Sequence, residues 1–311
     1  MTHRKTTMSI LAAASAVTAA TAVAAPATGS SAPAGGTMLL TINGNLHTIG
    51  GDGTGLRPIT SGGGISDAAY SPDGRRIAYT KNVAGTPTIF VMPAAGGSSA
   101  RLYPGENPSW SPDGTKLTFG RELANGNEHI YTAPARAGAA ARRILAGNVD
   151  GGAGCYYLGY RDPKWSPTGN AIAVTKLCDD DHFVYSTVLA RPTGGLIAGK
   201  SWGGYEASFN NAGTAIAAVD WDWAFSEQDV FRVNINATRA TYLTTYQANV
   251  SYDDPVWSPN DAKIGARRTN DVDGAAIYDL VTFSSRDGSG QRTLLRGSAT
   301  YRIVPRDWKA S

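Results

Sequence analysis

The chain has 311 residues, with 28 Lys and Arg against 25 Asp and Glu, 37 Gly, two Cys and a formal charge of +3. That balance excludes the clustered basic excess of a nucleic-acid binder. Abundant Gly without helix-period patterning excludes a helical bundle and predicts many short strands joined by turns.

The first predicted element is an address. His3, Arg4 and Lys5 make a basic start, an Ala-rich apolar run follows from Ile10 to Ala25, and Ala22-Val23-Ala24 offers small residues to a signal peptidase. This is the layout of a secretory signal over residues 1–24, with no cysteine near the cut for a lipid anchor. Cleavage after Ala24 removes Arg4 and Lys5, leaving 26 basic against 25 acidic residues and no membrane span. Residues 25–37 are small, polar and Gly/Pro-rich, a flexible lead-in to one domain over 38–311.

That domain opens on a hairpin, Met38–Ile42 and Leu46–Ile49 flanking Asn43-Gly44, with Arg57–Thr60 as an outer strand. A repeat then sets in. Tyr70-Ser71-Pro72-Asp73-Gly74 recurs as Trp110-Ser111-Pro112-Asp113-Gly114, Trp165-Ser166-Pro167-Thr168-Gly169 and Trp257-Ser258-Pro259-Asn260-Asp261, with a degenerate copy at Phe209-Asn210-Asn211-Ala212-Gly213. The anchor aromatics stand 40, 55, 44 and 48 residues apart, the period of a four-stranded blade. Each turn is followed by an apolar strand such as Ile77-Ala78-Tyr79, then a second such as Ile89-Phe90-Val91, then a short outer strand such as Arg101-Leu102-Tyr103.

Five units are complete. The N-terminal strands lack only an inner aromatic strand, which Val304–Trp308 supplies from the far end. The prediction is a six-bladed β-propeller, closed by pairing N- and C-terminal strands so that no edge stays open. Tyr70, Trp110, Trp165, Phe209, Trp257 and Trp308 are predicted to pack between blades rather than to touch ligand.

The Ser-Pro-Asp-Gly repeats, with Ile-Ala-Tyr and Leu-Thr-Phe strands, resemble the WD-repeat-like modules of the TolB family over about residues 38–309. The resemblance implies the fold; related modules also occur in peptidases, lyases and binding proteins, so it does not fix an activity. TolB itself carries an N-terminal α/β domain that the repeats here do not include, so its envelope role does not transfer with the fold.

Turns of the Pro-Asp-Gly type lie on one face of such a disc. The opposite face receives the longer predicted loops, 147–162, 176–183, 220–229, 244–254 and 267–276, where binding usually sits. Cys155, in a connection between units, and Cys178, opening a second-to-third loop, fall on that face of adjacent units and, in an exported chain, are predicted to form a disulfide. The loops of the Trp165, Phe209 and Trp257 units carry thirteen acids against five bases, interleaved with aromatics. Tyr157, Asp180, Trp202, Trp221, Asp222, Trp223, Tyr246 and Asp254 are the candidate binding residues. Acids fix cations, hydroxyls or basic side chains, and flat rings stack on sugars or anchor peptides.

Three residues before each anchor aromatic stand Asp67, Asn107, Asp162, Glu206 and Asp254, with Pro305 breaking the set. Such oxygens ringing the channel mouth suit a hard cation such as Ca²⁺, or equally cap the strand starts through backbone hydrogen bonds. A hydrolase is not expected, because the repeats leave no second domain for a triad, and His182 is the single histidine in a ligand-like setting. The expected role is that of a secreted, monomeric, non-catalytic binder of an envelope protein. The alternative is a propeller that binds or cleaves a carbohydrate, using carboxylate pairs such as Asp222 with Asp254.

Overall fold

A computed structural model of the chain describes residues 35–148, 155, 157–179, 183–222, 227–272 and 274–310. The predicted signal and most of the lead-in lie outside these residues. Among the described residues there are 24 strands in six four-stranded antiparallel sheets and no helix.

Strands β1 (Thr37–Ile42), β2 (Asn45–Gly50) and β3 (Arg57–Pro58) belong to blade I. Blade II holds β4 (Ile65–Tyr70), β5 (Arg76–Val83), β6 (Thr86–Pro93) and β7 (Ala100–Pro104). Blade III holds β8 (Glu106–Trp110), β9 (Lys116–Glu122), β10 (Glu128–Pro134) and β11 (Arg142–Leu145). Blade IV holds β12 (Tyr157–Trp165), β13 (Ile172–Asp179), β14 (Phe183–Ala190) and β15 (Leu196–Gly203). Blade V holds β16 (Tyr205–Phe209), β17 (Ala215–Asp222), β18 (Glu227–Asn234) and β19 (Thr241–Tyr242). Blade VI holds β20 (Val250–Trp257), β21 (Lys263–Val272), β22 (Ala275–Ser284) and β23 (Arg292–Leu295). The final strand, β24 (Ile303–Lys309), completes blade I by pairing antiparallel with β1, Ile42 opposite Ile303 and Thr37 opposite Lys309.

The inner strands β24, β4, β8, β12, β16 and β20 neighbour one another in that order and return to β24, so the ring is closed. The chain is a six-bladed β-propeller, as the repeats predicted.

The repeat motif has a local cause. Ser71 Oγ donates to Asp73 Oδ1 at 2.6 Å and accepts the Arg76 N–H at 2.9 Å, which ties the turn to the next strand. Ser111 and Ser258 do the same for Lys116 and Lys263. The degenerate copy keeps the function with a different group: Asn210 Oδ1 accepts the Ala215 N–H at 2.9 Å. At the N-terminal hairpin, Asn43 and Gly44 both adopt positive φ, as a two-residue loop whose twist matches the strands requires.

The core is divided among the blade interfaces. Six clusters of buried side chains each draw on two adjacent blades, for example Trp257 and Phe283 of blade VI with Val230 and Leu243 of blade V. Each fully buried aliphatic or aromatic side chain stabilises by roughly 1.5–3 kcal/mol, so every interface counts and the closed ring has none to spare. Tyr70, Trp110, Trp257 and Trp308 are buried and Trp165 and Phe209 half-buried in these clusters. The indole N–H of Trp110 reaches back to Ala69 O of blade II at 3.2 Å, and that of Trp257 to Ser208 O of blade V at 3.1 Å.

The loops differ from expectation. Much of what the sequence suggests as loop at 176–183, 220–229 and 267–276 is strand: β13 runs to Asp179, β17 to Asp222 and β21 to Val272. These ends are hairpins in full register, such as Asp271 opposite Ala276 and Asp220 opposite Asp229. Polar residues are no obstacle to a paired hairpin end that is only partly buried; what is lost there is the apolar alternation by which a strand is read.

Candidate functional site

Each inner strand is interrupted by a β-bulge, and the residues of the predicted ring sit in those bulges. The register against the second strand shifts between Ile65 and Ala68, Glu106 and Ser109, Arg161 and Lys164, Tyr205 and Ser208, and Asp253 and Val256. Asn107, Asp162, Glu206 and Asp254 hold φ of 52°, 50°, 53° and 50°. That left-handed conformation costs a residue with a side chain about 1–2 kcal/mol, least for Asn and Asp. Its repetition in four blades aims four side chains the same way, which is what a bulge does.

Neighbouring blades hold the bulges in place. The Asn107 N–H donates to Thr80 Oγ1 at 3.1 Å, and the Glu206 N–H to Thr175 Oγ1 at 3.3 Å, each Thr belonging to the second strand of the preceding blade. The Asp254 N–H donates to Glu206 Oε2 at 3.0 Å. Gly204, at φ +88°, leads into β16 so closely that a Cβ would stand 2.2 Å from Val219 O.

Asp67, Asn107, Asp162, Glu206 and Asp254 all line one axial channel of about 560 Å³. It runs from this mouth to Pro72, Pro112 and Pro167 at the opposite turns. The sixth place is not filled by Pro305, which pairs with Leu40. In blade I the register shifts between Leu39 and Leu40, so Arg306 is the bulged residue rather than Pro305. Arg306 Nη1 lies 3.4 Å from Asp67 Oδ1 and 3.2 Å from Asp254 Oδ1, and its Nε donates to Thr41 Oγ1 at 3.0 Å. Behind the ring, Arg267 forks onto both oxygens of Asp253 at 2.6 Å and reaches Asp254 at 3.5 Å. Asn107 Nδ2 donates to Asp162 Oδ1 at 2.6 Å, and Arg161 forks onto the buried Glu128.

The mouth is thus an ion-paired collar with its own cation built in. Among the described residues, no three His, Cys, Asp or Glu are placed to hold a metal ion. The positive charge that Ca²⁺ would bring to such a ring is supplied at Asp67 and Asp254 by Arg306.

Burial dominates the electrostatics. It pushes the Asp162 carboxyl up to about 6, with Asp67 adding to the effect, and the Glu106 carboxyl up to about 7, with Asp67 and Asp162 adding. Asp253 is raised to about 6 by burial and Asp254, against the pull of Arg267. Glu206 is raised well above the usual carboxylate range by burial, then by Asp254 and Asp253. Such shifts collect where function demands buried charge.

The other candidates scatter. Trp221 lines a smaller cavity between blades IV and V, and Tyr246 is exposed on the connection from β19 to β20. Trp202 does not join the mouth: it sits on outer strand β15, packs in the core between blades IV and V, and donates to Ala237 O at 3.0 Å. Tyr157 opens β12 and Asp222 ends β17, on the same face, while Asp180, Trp223 and His182 lie outside the described residues. Cys155 and Cys178 form the expected disulfide, with Cα atoms 5.4 Å apart.

One segment spells a catalytic motif by letter, Gly199-Lys200-Ser201-Trp202-Gly203. It runs inside β15, with Ser201 paired to Val188. A nucleophile elbow needs a sharp strand-to-helix turn, so this Ser is an ordinary outer-strand residue.

Comparison with known proteins agrees with the geometry at the level of fold. TolB from Acinetobacter baumannii superposes with a TM-score of 0.68 at 20% identity, over 89% of this chain and 67% of that one. A chain of a nidogen–laminin complex gives 0.59 at 10% identity, over 88% and 98% of the two chains. A prolyl endopeptidase gives 0.50 at 15%, over 84% and 42%. In sequence, the uncharacterized peptidase YuxL of Bacillus subtilis is 30% identical over 121 residues, which are 36% of this chain and 17% of that protein. No protein-family model matches the chain.

Proposed function

We propose that the chain is a non-catalytic binding protein of the cell envelope or its surroundings, and that it holds a protein partner on the face that carries the carboxylate mouth. The observation that carries this reading is the collar: four carboxylates and an amide, brought by five blades into one channel mouth and framed by projecting hairpins. A closed ring of blades cannot easily deform, so such a face presents its groups pre-arranged, which lowers the ordering cost of binding. An acidic face selects a partner with basic groups and speeds its approach. The Cys155–Cys178 disulfide supports an oxidising compartment, and with it the export signal over residues 1–24. A disc stabilised by its own ring closure works as a monomer.

The test is capture of envelope proteins on the immobilised mature chain, followed by affinity measurement for the partner identified. Tyr246→Ala and Asp271→Lys change exposed positions of the hairpins and connections on this face. Each is expected to weaken the partner tenfold or more and to leave unfolding unchanged. Full affinity in both variants moves the site off this face. If nothing protein is retained and cell-wall glycans raise the unfolding midpoint instead, the ligand is a carbohydrate.

A further inference from the structure

A second cavity, of about 290 Å³, lies between blades IV and V and shares Asp162 and Glu206 with the axial channel. Tyr185 of β14, Tyr205 of β16 and Trp221 of β17 line it, together with Thr175 and Arg161. The two tyrosine rings are 5.3 Å apart between centroids and inclined at 47°.

Ion pairing around the mouth is uneven. Arg306 serves Asp67 and Asp254, Arg267 serves Asp253 and Asp254, and Arg161 serves Glu128. Asp162 and Glu206 form no ion pair among the described residues. Asp162 accepts from the neutral amide of Asn107, and Glu206 from the Asp254 N–H. The two mouth carboxylates that form no ion pair among the described residues are therefore the two that reach the aromatic cavity, where the guanidinium of Arg161 is turned onto Glu128. A carboxylate set deep in protein without a counter-ion is costly, and the cost is removed by a proton or by a cation from outside.

We propose that this cavity takes one organic cation, the ammonium or guanidinium group of a Lys or Arg side chain presented by the partner, with Tyr185, Tyr205 and Trp221 as its aromatic walls and Glu206 and Asp162 as its counter-charge. Aromatic faces attract cations most strongly where water is excluded. The volume is at the small end of ligand pockets, which run from about 300 to 1,000 Å³, and suits one side chain rather than a sugar chain. This inference rests on the reading that a partner docks on this face, and names the group it brings.

Proton coupling follows. Burial, then Asp254 and Asp253, raises Glu206, while burial and Asp67 raise Asp162 to about 6 against the pull of Lys164 and Arg161. Arg267 also acts on Glu206, but from its fork on Asp253. A cation entering the cavity competes with the protons these two groups hold, so affinity rises as the pH rises from about 5 to about 7.5.

The experiment titrates N-acetyl-lysine methylamide into the purified mature chain by calorimetry, with N-acetyl-norleucine methylamide as the uncharged control. Near neutral pH the lysine probe is expected to bind in the millimolar range, at least tenfold tighter than the control and tenfold tighter than at about pH 5. Glu206→Gln and Tyr185→Leu are each expected to cost tenfold or more, with unfolding curves confirming that both fold. Should either fail to fold, Trp221→Leu takes its place. Equal binding of the two probes, undiminished binding in a folded Glu206→Gln, or no heat with the folded parent overturns the assignment. A captured partner that the lysine probe does not displace removes this pocket and leaves the docking face standing; lysine binding with no partner found does the reverse.

Discussion

Replacing Arg306 by Met removes the guanidinium that lies inside the collar while keeping the length of its stem. Its Nη1 contacts two carboxylates, at 3.4 Å and 3.2 Å, and the three side chains are 15–20% exposed. At an effective dielectric of 20, each contact is worth about 5 kcal/mol of direct attraction. Desolvation of the guanidinium offsets much of that, and breaking such a pair from one side typically costs about 3–5 kcal/mol. With some water reaching the site, we expect about 3 kcal/mol at neutral pH, read as the shift in a urea unfolding curve. The loss comes from carboxylates left facing one another, so it should shrink near pH 5 as the mouth takes up protons. Adding Asp254→Asn to the Met variant should restore part of the stability for the same reason. A cost equal at both pH values, or no recovery in the double variant, would mean that Arg306 acts by packing alone and would refute the charge argument.

The pH dependence of the parent has a definite sign. Glu106, Asp162 and Asp253 have folded-state values of about 7, 6 and 6, above their ordinary 4.5, 3.8 and 3.8, so the native state binds more protons between about pH 4 and 7. Their contribution to stability therefore falls as the pH rises through that window, and Glu106→Gln should flatten the slope measured by unfolding at stepped pH. The turn residues Asp113 and Asp287, lowered to about 2 chiefly by hydrogen bonds from Ser111 and Ser289, act in the opposite sense and only below about pH 4. Reducing the disulfide, or replacing both cysteines by Ser, opens a loop spanning 23 residue steps. Chain entropy puts its removal at about 3 kcal/mol. The urea midpoint should fall accordingly, while the blade core, which closes without the disulfide, keeps its far-ultraviolet spectrum.

The fold was written in the sequence because its cause is local and repeated. Ser-Pro-Asp-Gly fixes a turn through the Ser71 and Ser111 hydroxyls, the apolar triplets after it alternate, and the anchor aromatics recur at blade spacing. Even the ring closure was legible, since a strand missing at one end and spare at the other has one way to satisfy both edges. The ring positions were legible by the same periodicity, because a fixed offset from Tyr70, Trp110 or Trp165 marks the same place in every blade. Tertiary structure alone decided what those positions do. A bulge is one extra residue, and its placement is set by how β24 meets β1, so counting back from Trp308 finds Pro305 whereas the chain presents Arg306. The same holds for Trp202, whose indole finds Ala237 O across the blade interface, and for Tyr185, whose partner Tyr205 lies in the next blade. Periodicity along a strand tells which face a residue takes. It carries no information about what the neighbouring blade sets against that face, and it is there that the collar and its charges are made.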